Sequence, residues 1–551
     1  MKGKKENKEK SRRLYNVFFN THTVSGIVIS MGLYIIFLAG AFALYQNHIN
    51  NWEINAPEAY FTPDLDYDRI LEEVAKEGYQ LYGRDITINL TSNSGRYISV
   101  FSSRPANKIS NDSLSKLSKE DSIAYTKATA RLDYILEPGT YKLVTPANTN
   151  DADKRIGRLL TKLHYFQQIP VVGIFLSGFV SIFFLFSMVS GVIIHWKKIV
   201  SNFFTFRLRS TIKNLWTDAH TALGILGIPF QLMYALTGTA FGLGIVVFPI
   251  AMMLYGNVNK STEVLLPERA KYKLMGESPN VAINPLVQDA MVDIPEKDIE
   301  NWRVMIKAFG DKNAHLDVVV HTESKEDFSG KATATYKLSN GAVVRKESQN
   351  ESSYRTASVE YFQRLHFANF GGHIIRAIYF LLALLTCFVI ITGVMIWLTA
   401  REKKTYANKA KFNKNVGAIY LGACLGLFPA IAVLFIITKV LPMEMENRFA
   451  IINWVFFGFW LTYLLYGFVI KDYHKINKHA LLLTGFFGVV IPIINGLVTG
   501  LWPWKSLPQG YVDSFFVDVS WFLLGAISLW VGLKVKRLVT YKKEMPKKNQ
   551  S

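Results

Sequence analysis

Eight long apolar stretches decide what this chain can fold into. Each is long enough to cross a bilayer, because a transmembrane helix needs about 20 predominantly apolar residues. They lie at about 24–46, 171–194, 222–250, 374–398, 416–438, 450–470, 480–501 and 514–533. The stretch LLALLTCFVIITGVMIWL carries no charge at all. We therefore expect an integral membrane protein that is mainly α-helical, with eight transmembrane helices.

The distribution of Lys and Arg predicts how these helices are oriented. Basic residues outnumber acidic ones in 1–20, 196–215 and 400–415, and in the tail after Gly532. Counting helices puts all four segments on one side, which the positive-inside rule assigns to the cytoplasm. We expect a multi-pass membrane protein with both termini cytoplasmic. The net charge of +20 is then a topology signal and does not indicate nucleic-acid binding, because the basic residues flank membrane helices.

The polar connections give the predicted order of domains. A cytoplasmic tail with helix 1 (1–48) is followed by a periplasmic α+β domain (49–165), helices 2 and 3 (166–256), a second periplasmic α+β domain (257–365), helix 4 (366–400), four C-terminal helices (415–535) and a basic cytoplasmic tail (536–551). In the first α+β domain, DYDRILEEVAKEGY has helical spacing, and DITINL and YISVFS have the pattern of strands. The second has strand patterns in NWRVMIKAFG and AHLDVVVHT and a hairpin signal at Asn340-Gly341. The first apolar segment lacks a small-residue cleavage site, so we expect a permanent helix and not a signal peptide.

An internal repeat relates the first four helices. A histidine precedes a glycine by 18 residues in helices one and three, and by 27 residues in helices two and four. The matched positions are His22 with Gly40, His220 with Gly238, His164 with Gly191, and His366 with Gly393. Repeated halves of membrane proteins contribute equivalent positions to a shared interface. We therefore expect His22 and His220 at one depth near the cytoplasmic face, and His164 and His366 at one depth near the periplasmic face. The four C-terminal helices show no such repeat, and their sequence suggests no function.

Paired histidines at one depth favour a cofactor site. A single histidine at a helix end is an ordinary interfacial residue, but two imidazoles at the same height can bind opposite faces of one metal or haem iron. Gly26 and Gly224 lie one turn beyond the histidines of helices one and three, where a missing side chain leaves room for a flat macrocycle.

Two further histidines are alternative ligands. His195 lies near the cytoplasmic face and competes with His22 and His220. His373 lies near the periplasmic face, seven residues after His366. On one continuous helix those seven residues span about 10 Å, so these two histidines cannot both bind one iron.

A bare metal site is less favoured by the sequence. Carboxylates and cysteines that could complete a four-coordinate zinc site do not lie near these histidines. The only cysteines, Cys387 and Cys424, both lie inside apolar segments, so neither a disulfide framework nor a CxxC motif is present.

The sequence resembles the family of proteins with PepSY-associated transmembrane helices, which includes inner-membrane reductases for iron-siderophore complexes. The resemblance covers about residues 15–400. Helices one and three share a histidine at their start and an LTG-type end, and helices two and four share a Leu-His pair. The stretch HFANFGGHIIRAIYFLLALLT, followed by TGVMIWL at the end of helix four, also matches the family. The resemblance implies a location in a bacterial inner membrane, two b-type haems held through their iron by His22, His220, His164 and His366, and electron transfer to periplasmic ferric-siderophore or other ferric complexes.

Three functional classes remain after the sequence is read. The first is a transmembrane oxidoreductase without a catalytic base or nucleophile, which takes electrons from a quinol or a separate reductase, since a GxGxxG nucleotide motif is lacking. The alternative is a non-enzymatic PepSY membrane protein that binds or regulates a peptidase or another partner. The third is a transporter, which the scarcity of carboxylates in the membrane helices disfavours as a proton-coupled pump.

Overall fold

The computed structural model describes most of the chain. The described residues are 2–56, 65–91, 98–103, 118–130, 132–136, 140–141, 154–196, 199–204, 207, 211–256, 272–295, 299–322, 328–348, 354–401 and 409–537. In chain order the elements are α1 (Lys2–Ala43), α2 (Gln46–Glu53), α3 (Tyr67–Lys76), β1 (Ile86–Thr91), β2 (Ile98–Ser102), α4 (Lys119–Thr129), β3 (Asp133–Leu136), α5 (Ile156–His164), α6 (Val172–His195), α7 (Ile199–Phe203), α8 (Ile212–Tyr255), α9 (Ile283–Met291), β4 (Ile299–Lys307), β5 (His315–Thr322), β6 (Lys331–Lys337), β7 (Val343–Glu347), α10 (Tyr354–Phe367), α11 (Gly372–Ala400), α12 (Ala410–Val440), α13 (Arg448–Ile470), α14 (Tyr473–Thr499), α15 (Pro503–Ser506) and α16 (Val512–Lys534).

Eight of the described helices are long and apolar enough to cross a membrane, as the sequence predicts. They are α1, α6, α8, α11, α12, α13, α14 and α16. The first four form one bundle, in which α1 packs against α6 and α11, and α8 packs against the same two helices. The last four form a second group, the C-terminal bundle, in which α14 contacts α12 and α16, and α13 packs against α12.

Small residues allow the membrane helices to approach closely. A Cβ atom on Gly242 of α8 would lie 2.5 Å from the Cα atom of Gly178 in α6. In the C-terminal bundle, a Cβ atom on Gly488 of α14 would lie 2.9 Å from the Cα atom of Gly525 in α16. Without a hydrophobic driving force between helices in lipid, such close backbone contact is a main source of helix association.

Strands from the two long connections form a single antiparallel sheet. Its order is β3-β2-β1-β4-β5-β6-β7, and β1 pairs with β4 from Ile86 opposite Ile306 to Thr91 opposite Asn301. The helices α3 and α9 cover one face, over a core that includes Trp302. The predicted hairpin is present, with Gly341 at φ +73 between β6 and β7. The two α+β units that the sequence suggests thus share one sheet.

A break in the helix precedes the second and the fourth membrane helix. Helix α5 ends at His164 and α6 begins at Val172, and α10 ends at Phe367 and α11 begins at Gly372. The expectation of one continuous helix through His366 and His373 is therefore wrong. The cause is local: Ala368, directly after α10, has φ +51, and Gly371 and Gly372 at the start of α11 both have φ +62, a left-handed conformation that glycine takes at little cost and that interrupts a helix.

Candidate functional site

Two histidine pairs occupy opposite sides of the four-helix bundle. We call the side that carries the sheet the sheet side, and the side where α1 begins and α16 ends the terminal side. His22 and His220 form the terminal-side pair, whose ring centroids are 6.2 Å apart. His164 and His366 form the sheet-side pair, whose ring centroids are 6.0 Å apart. The repeat in the sequence thus identified which histidines meet.

This spacing fits one metal ion between the two rings of each pair. An imidazole nitrogen binds a metal at about 2 Å, so an iron with histidines on opposite faces separates their ring centroids by roughly 6 Å. Directly packed aromatic rings cover the same range, with centroids about 4.5–7 Å apart, so the case for a shared ligand depends on the spacing together with the orientation of the ring nitrogens. The rings are also tilted, by 66° in the terminal-side pair and 53° in the sheet-side pair.

In the terminal-side pair, the Nδ1 atom of each ring faces a backbone carbonyl. Nδ1 of His22 lies 2.9 Å from the carbonyl oxygen of Ser187, and Nδ1 of His220 lies 2.9 Å from that of Val389. A carbonyl oxygen only accepts, so Nδ1 carries the proton in both rings. Nε2 is then the nitrogen whose lone pair can bind a metal, which is the usual arrangement around a ligating histidine.

The sheet-side pair follows the same pattern with one difference. Nδ1 of His164 lies 2.8 Å from the carbonyl oxygen of Ile36, whereas Nδ1 of His366 lies 2.9 Å from the hydroxyl oxygen of Thr237. That hydroxyl donates to the carbonyl oxygen of Met233 at 2.9 Å, so it accepts from His366. The second ligand candidate on the sheet side therefore depends on a side-chain hydroxyl.

A cavity of about 710 Å³ opens beside the terminal-side pair. Its volume lies within the range of about 300–1,000 Å³ that is usual for cofactor pockets. Gly26 and Gly224 line it, as expected for positions that leave room for a flat ligand, and Lys213 and Arg401 also line it. A Cβ atom on Gly26 would come no closer than 4.0 Å to any other side chain.

Aromatic rings surround the sheet-side pair. The rings of Tyr234 and Phe241 each lie 5.0 Å from that of His366, and the Tyr234 hydroxyl donates to the carbonyl oxygen of His366 at 2.9 Å. Burial lowers the pKa of His164 and lowers the pKa of His366 to about 3. Both imidazoles are thus neutral near pH 7, the form in which histidine binds a metal.

The glycines of the repeat have a role that the sequence analysis missed. A Cβ atom on Gly40 would lie 2.7 Å from Nδ1 of His164 on the neighbouring helix. Cβ atoms on Gly191 and Gly393 would each lie 3.1 Å from Cε1 of a histidine of the terminal-side pair. The fourth glycine, Gly238, faces Ser181 instead. Three of the four landmark glycines therefore make space for a histidine ring of the opposite repeat type, which explains why the two residue types recur together.

The two alternative ligands lie in different surroundings. His195 lines the terminal-side cavity together with His22 and His220. The ring of His373 lies 5.3 Å from that of His48 and stacks on Phe516, so it is paired away from the sheet-side histidines. Among the described residues, no group of three or more His, Cys, Asp or Glu side chains could hold a bare metal ion.

Two comparisons with known proteins bear on this arrangement. The sequence profile of the family described as "PepSY-associated TM region" matches residues 19–400, which contain both histidine pairs and the whole sheet. An uncharacterized protein of Pseudomonas aeruginosa is 23% identical over 330 residues, which cover 56% of this chain and 77% of that protein. The C-terminal bundle, from Ala410 onwards, lies outside the profile match.

Proposed function

The chain belongs to the PepSY-associated transmembrane family of multi-pass membrane proteins, and we propose that it is a haem-b-containing electron-transfer protein. Its proposed oxidants are ferric-siderophore or other ferric complexes on the sheet side, which we take as the periplasmic side of a bacterial inner membrane. The observation that carries the proposal is the nearly equal spacing of the two histidine pairs, together with an acceptor for Nδ1 of every ring.

The chain's own residues suit the task of holding two haems. His22 and His220 would hold one iron and His164 and His366 the other, with each ring oriented by its Nδ1 hydrogen bond. Such second-shell bonds increase the basicity of the ligating nitrogen and hold the ring in place. A b-type haem bound there would supply an iron that accepts and passes on single electrons.

The space between the two pairs is filled by aromatic side chains. The ring of Phe184, which lines the terminal-side cavity, lies 5.5 Å from that of Phe37. The ring of Phe37 lies 5.9 Å from that of Tyr234, which contacts His366. This aromatic packing lies between the two pairs, and two candidate cofactor sites at opposite faces would support a route for electrons across the membrane.

The visible absorption spectrum of the full-length protein, purified from haem-replete cells, tests the proposal. We expect a reducible b-type spectrum with two haems per chain, and reoxidation when a ferric-siderophore complex is added. His474→Ala is the matched control, because this histidine is the second residue of α14 in the C-terminal bundle and belongs to neither pair. A colourless protein would refute the proposal and favour the alternative of a non-enzymatic membrane protein that binds a partner.

The orientation has a separate test. A cysteine introduced at Asn340, in the hairpin between β6 and β7, should react with a membrane-impermeant thiol reagent added to the periplasm. Both natural cysteines are buried, so the background reaction should be low. Reaction only after the inner membrane is opened would reverse the proposed direction of electron transfer.

A further inference from the structure

Hydrogen bonds connect the C-terminal bundle to the short helix α2, which follows α1, and α1 also packs directly on α12. Four residues of α2 face this bundle. They are His48, Asn51, Trp52 and Glu53, and their partners lie on α12, α13 and α16. Because the family profile ends at residue 400, membership of the family assigns no role to these contacts.

A buried carboxylate on α2 connects the C-terminal bundle to the helix that carries His164. Glu53 is 2% exposed, and its Oε1 atom accepts a hydrogen bond at 2.7 Å from Arg448, the first residue of α13. Its Oε2 atom accepts at 2.9 Å from the backbone N–H of Ile156, the first residue of α5. Helix α5 ends at His164, so one carboxylate fixes the start of the helix whose last residue belongs to the sheet-side pair.

The packing of α2 on α5 leaves little room for movement between them. A Cβ atom on Gly157 would lie 2.4 Å from Oδ1 of Asn50 and 2.5 Å from the carbonyl oxygen of Gln46. A negative charge at a helix N-terminus is also favourable, because the exposed N–H groups and the helix dipole are positive there. Helix α5 packs on both α1 and α2, and α2 in turn packs on α16, so the C-terminal bundle contributes to the position of α5 through α2.

A second link leads from the C-terminal bundle to the segment that follows His366. Asp513 of α16 accepts hydrogen bonds from Nδ1 of His48 and from the side chain of Asn51. The guanidinium of Arg376 lies 3.4 Å from Nε2 of the same histidine. It also donates to the carbonyl oxygen of Ala368 at 3.4 Å, directly after the end of α10.

Buried ion pairs of this kind are poor sources of stability. Removing two charges from water costs about as much as their attraction returns, and apolar replacements are often equally or more stable. What a buried pair does supply is a defined geometry, because each charge must meet its partner. A positional role therefore accounts for the Glu53–Arg448 pair better than added stability does.

We propose that the C-terminal bundle positions the sheet-side histidine pair, with Glu53 and Arg448 as positioning residues for His164 and Arg376 as the positioning residue for His366. This inference rests on the proposed function, because its consequence is the geometry of the sheet-side haem site. It gives the four C-terminal helices a task that their own sequence does not reveal.

The test compares Arg448→Met and Arg448→Lys in the full-length protein, with the haem content and the midpoint potential of each haem as readouts. Loss of a direct second-shell contact weakens metal binding by roughly 10–100-fold, which is the upper bound for Arg448 because its contact with His164 runs through Glu53 and α5. We expect Arg448→Met to lose the sheet-side haem or shift its potential, while the terminal-side haem keeps its potential. Arg448→Lys keeps the charge and should restore most of the wild-type behaviour. Glu53→Gln keeps an acceptor for Ile156 and should produce a smaller shift in the same direction, which preserves the test should Arg448→Met fail to accumulate.

Arg537→Met is the matched control, because it removes an exposed ion pair with Asp472 at the other end of the same bundle. It should leave both haems unchanged. Equal loss of both haems in Arg448→Met and Glu53→Gln, or two unaltered haems in both, would overturn the inference alone. A colourless wild-type protein would instead remove the proposed function, and this inference with it.

Discussion

The two histidine pairs have nearly the same ring spacing but are built differently. The terminal-side pair lies inside two long membrane helices, α1 and α8, and both rings donate to backbone carbonyls of adjacent membrane helices. The sheet-side pair lies at the ends of α5 and α10, two short helices outside the membrane-spanning segments. One of its rings depends on the hydroxyl of Thr237.

This difference predicts how each pair responds to change. The terminal-side pair is held by helix packing within the bilayer, so only changes in those helices should move it. Helix α10 is fixed from outside the membrane, where Arg364 donates to the carbonyl oxygens of Thr322 at the end of β5 and of Ser329 just before β6. A buried Glu360 on the same helix pairs with Lys331 of β6 at 2.9 Å. The sheet-side pair should therefore respond to events in the sheet and in the C-terminal bundle.

Removing a histidine of either pair should have the largest effect. His22→Ala and His220→Ala should each abolish the same haem and leave the other in place, because a six-coordinate iron loses one of its two ligands. His366→Ala should abolish the sheet-side haem and leave the terminal-side haem in place. The haem-to-protein ratio and the reduced-minus-oxidised spectrum measure both outcomes.

His195→Ala is the control for the terminal-side pair and His373→Ala the control for the sheet-side pair. Both should retain two haems. If His195→Ala removes a haem that His22→Ala leaves intact, the assignment of the terminal-side ligands is wrong.

Adding a methyl group beside a histidine should have the next largest effect, and it should be larger on the sheet side. Gly40→Ala would place a carbon 2.7 Å from the ring of His164, closer than the 3.1 Å from Gly191 to the ring of His22. Overpacking of this kind costs about 1–3 kcal/mol. We expect Gly40→Ala to weaken the sheet-side haem strongly and Gly191→Ala to weaken the terminal-side haem mildly, as measured by haem transfer to apomyoglobin. Gly244→Ala, in open space on α8, should change neither, and an equal effect of all three would contradict the prediction.

Removing a hydroxyl group should have a smaller effect, and this effect should differ between the two pairs. Thr237→Val deletes the acceptor for Nδ1 of His366, whereas Thr392→Val leaves His220 its bond to the carbonyl of Val389. We expect Thr237→Val to weaken sheet-side haem binding by roughly tenfold, and Thr392→Val to have little effect. Thr237→Ser should restore wild-type binding. Similar losses in the two valine variants would mean that the two pairs are held alike.

Acidification should produce the smallest effect, confined to the sheet side. Burial lowers the pKa of His321 to about 4, although the nearby Glu360 opposes this shift. Between pH 6.5 and about 4, the unfolded histidine binds a proton that the folded one does not, so stability falls as the pH falls, by at most about 1.4 kcal/mol per pH unit. His321→Gln should therefore reduce the loss of thermal stability between pH 7 and pH 5. His315→Gln on the same strand is the control, and an equal reduction in that variant would rule out this cause.

Much of the membrane fold and the partners within each pair could be predicted from the sequence. Apolar length identifies spanning helices, and equal intervals from histidine to glycine place residues at equal depths. The hairpin at Asn340-Gly341 also carries a local signal. These features depend on short-range periodicity, which a single sequence displays directly.

Other features depend on contacts between distant segments and could not be predicted. The pairing of β1 with β4 has no local signal, because each strand could pair equally well with another antiparallel strand. Arg448 lies almost 400 positions from its partner Glu53, and Asp513 is even further from His48. The break before α11 did have a signal, Gly371-Gly372, which the apolar run around it obscured.

The single sheet has a consequence for how the protein is made. Ile86 pairs with Ile306, 220 positions later, so β1 has an unpaired edge until two further membrane helices and the second connection have been synthesised and moved across the membrane. Contacts of such long sequence separation form slowly, and unpaired strand edges attract other chains in the meantime. We expect the newly made first half to be vulnerable to aggregation and proteolysis, and to depend on chaperones on the sheet side until β4 arrives.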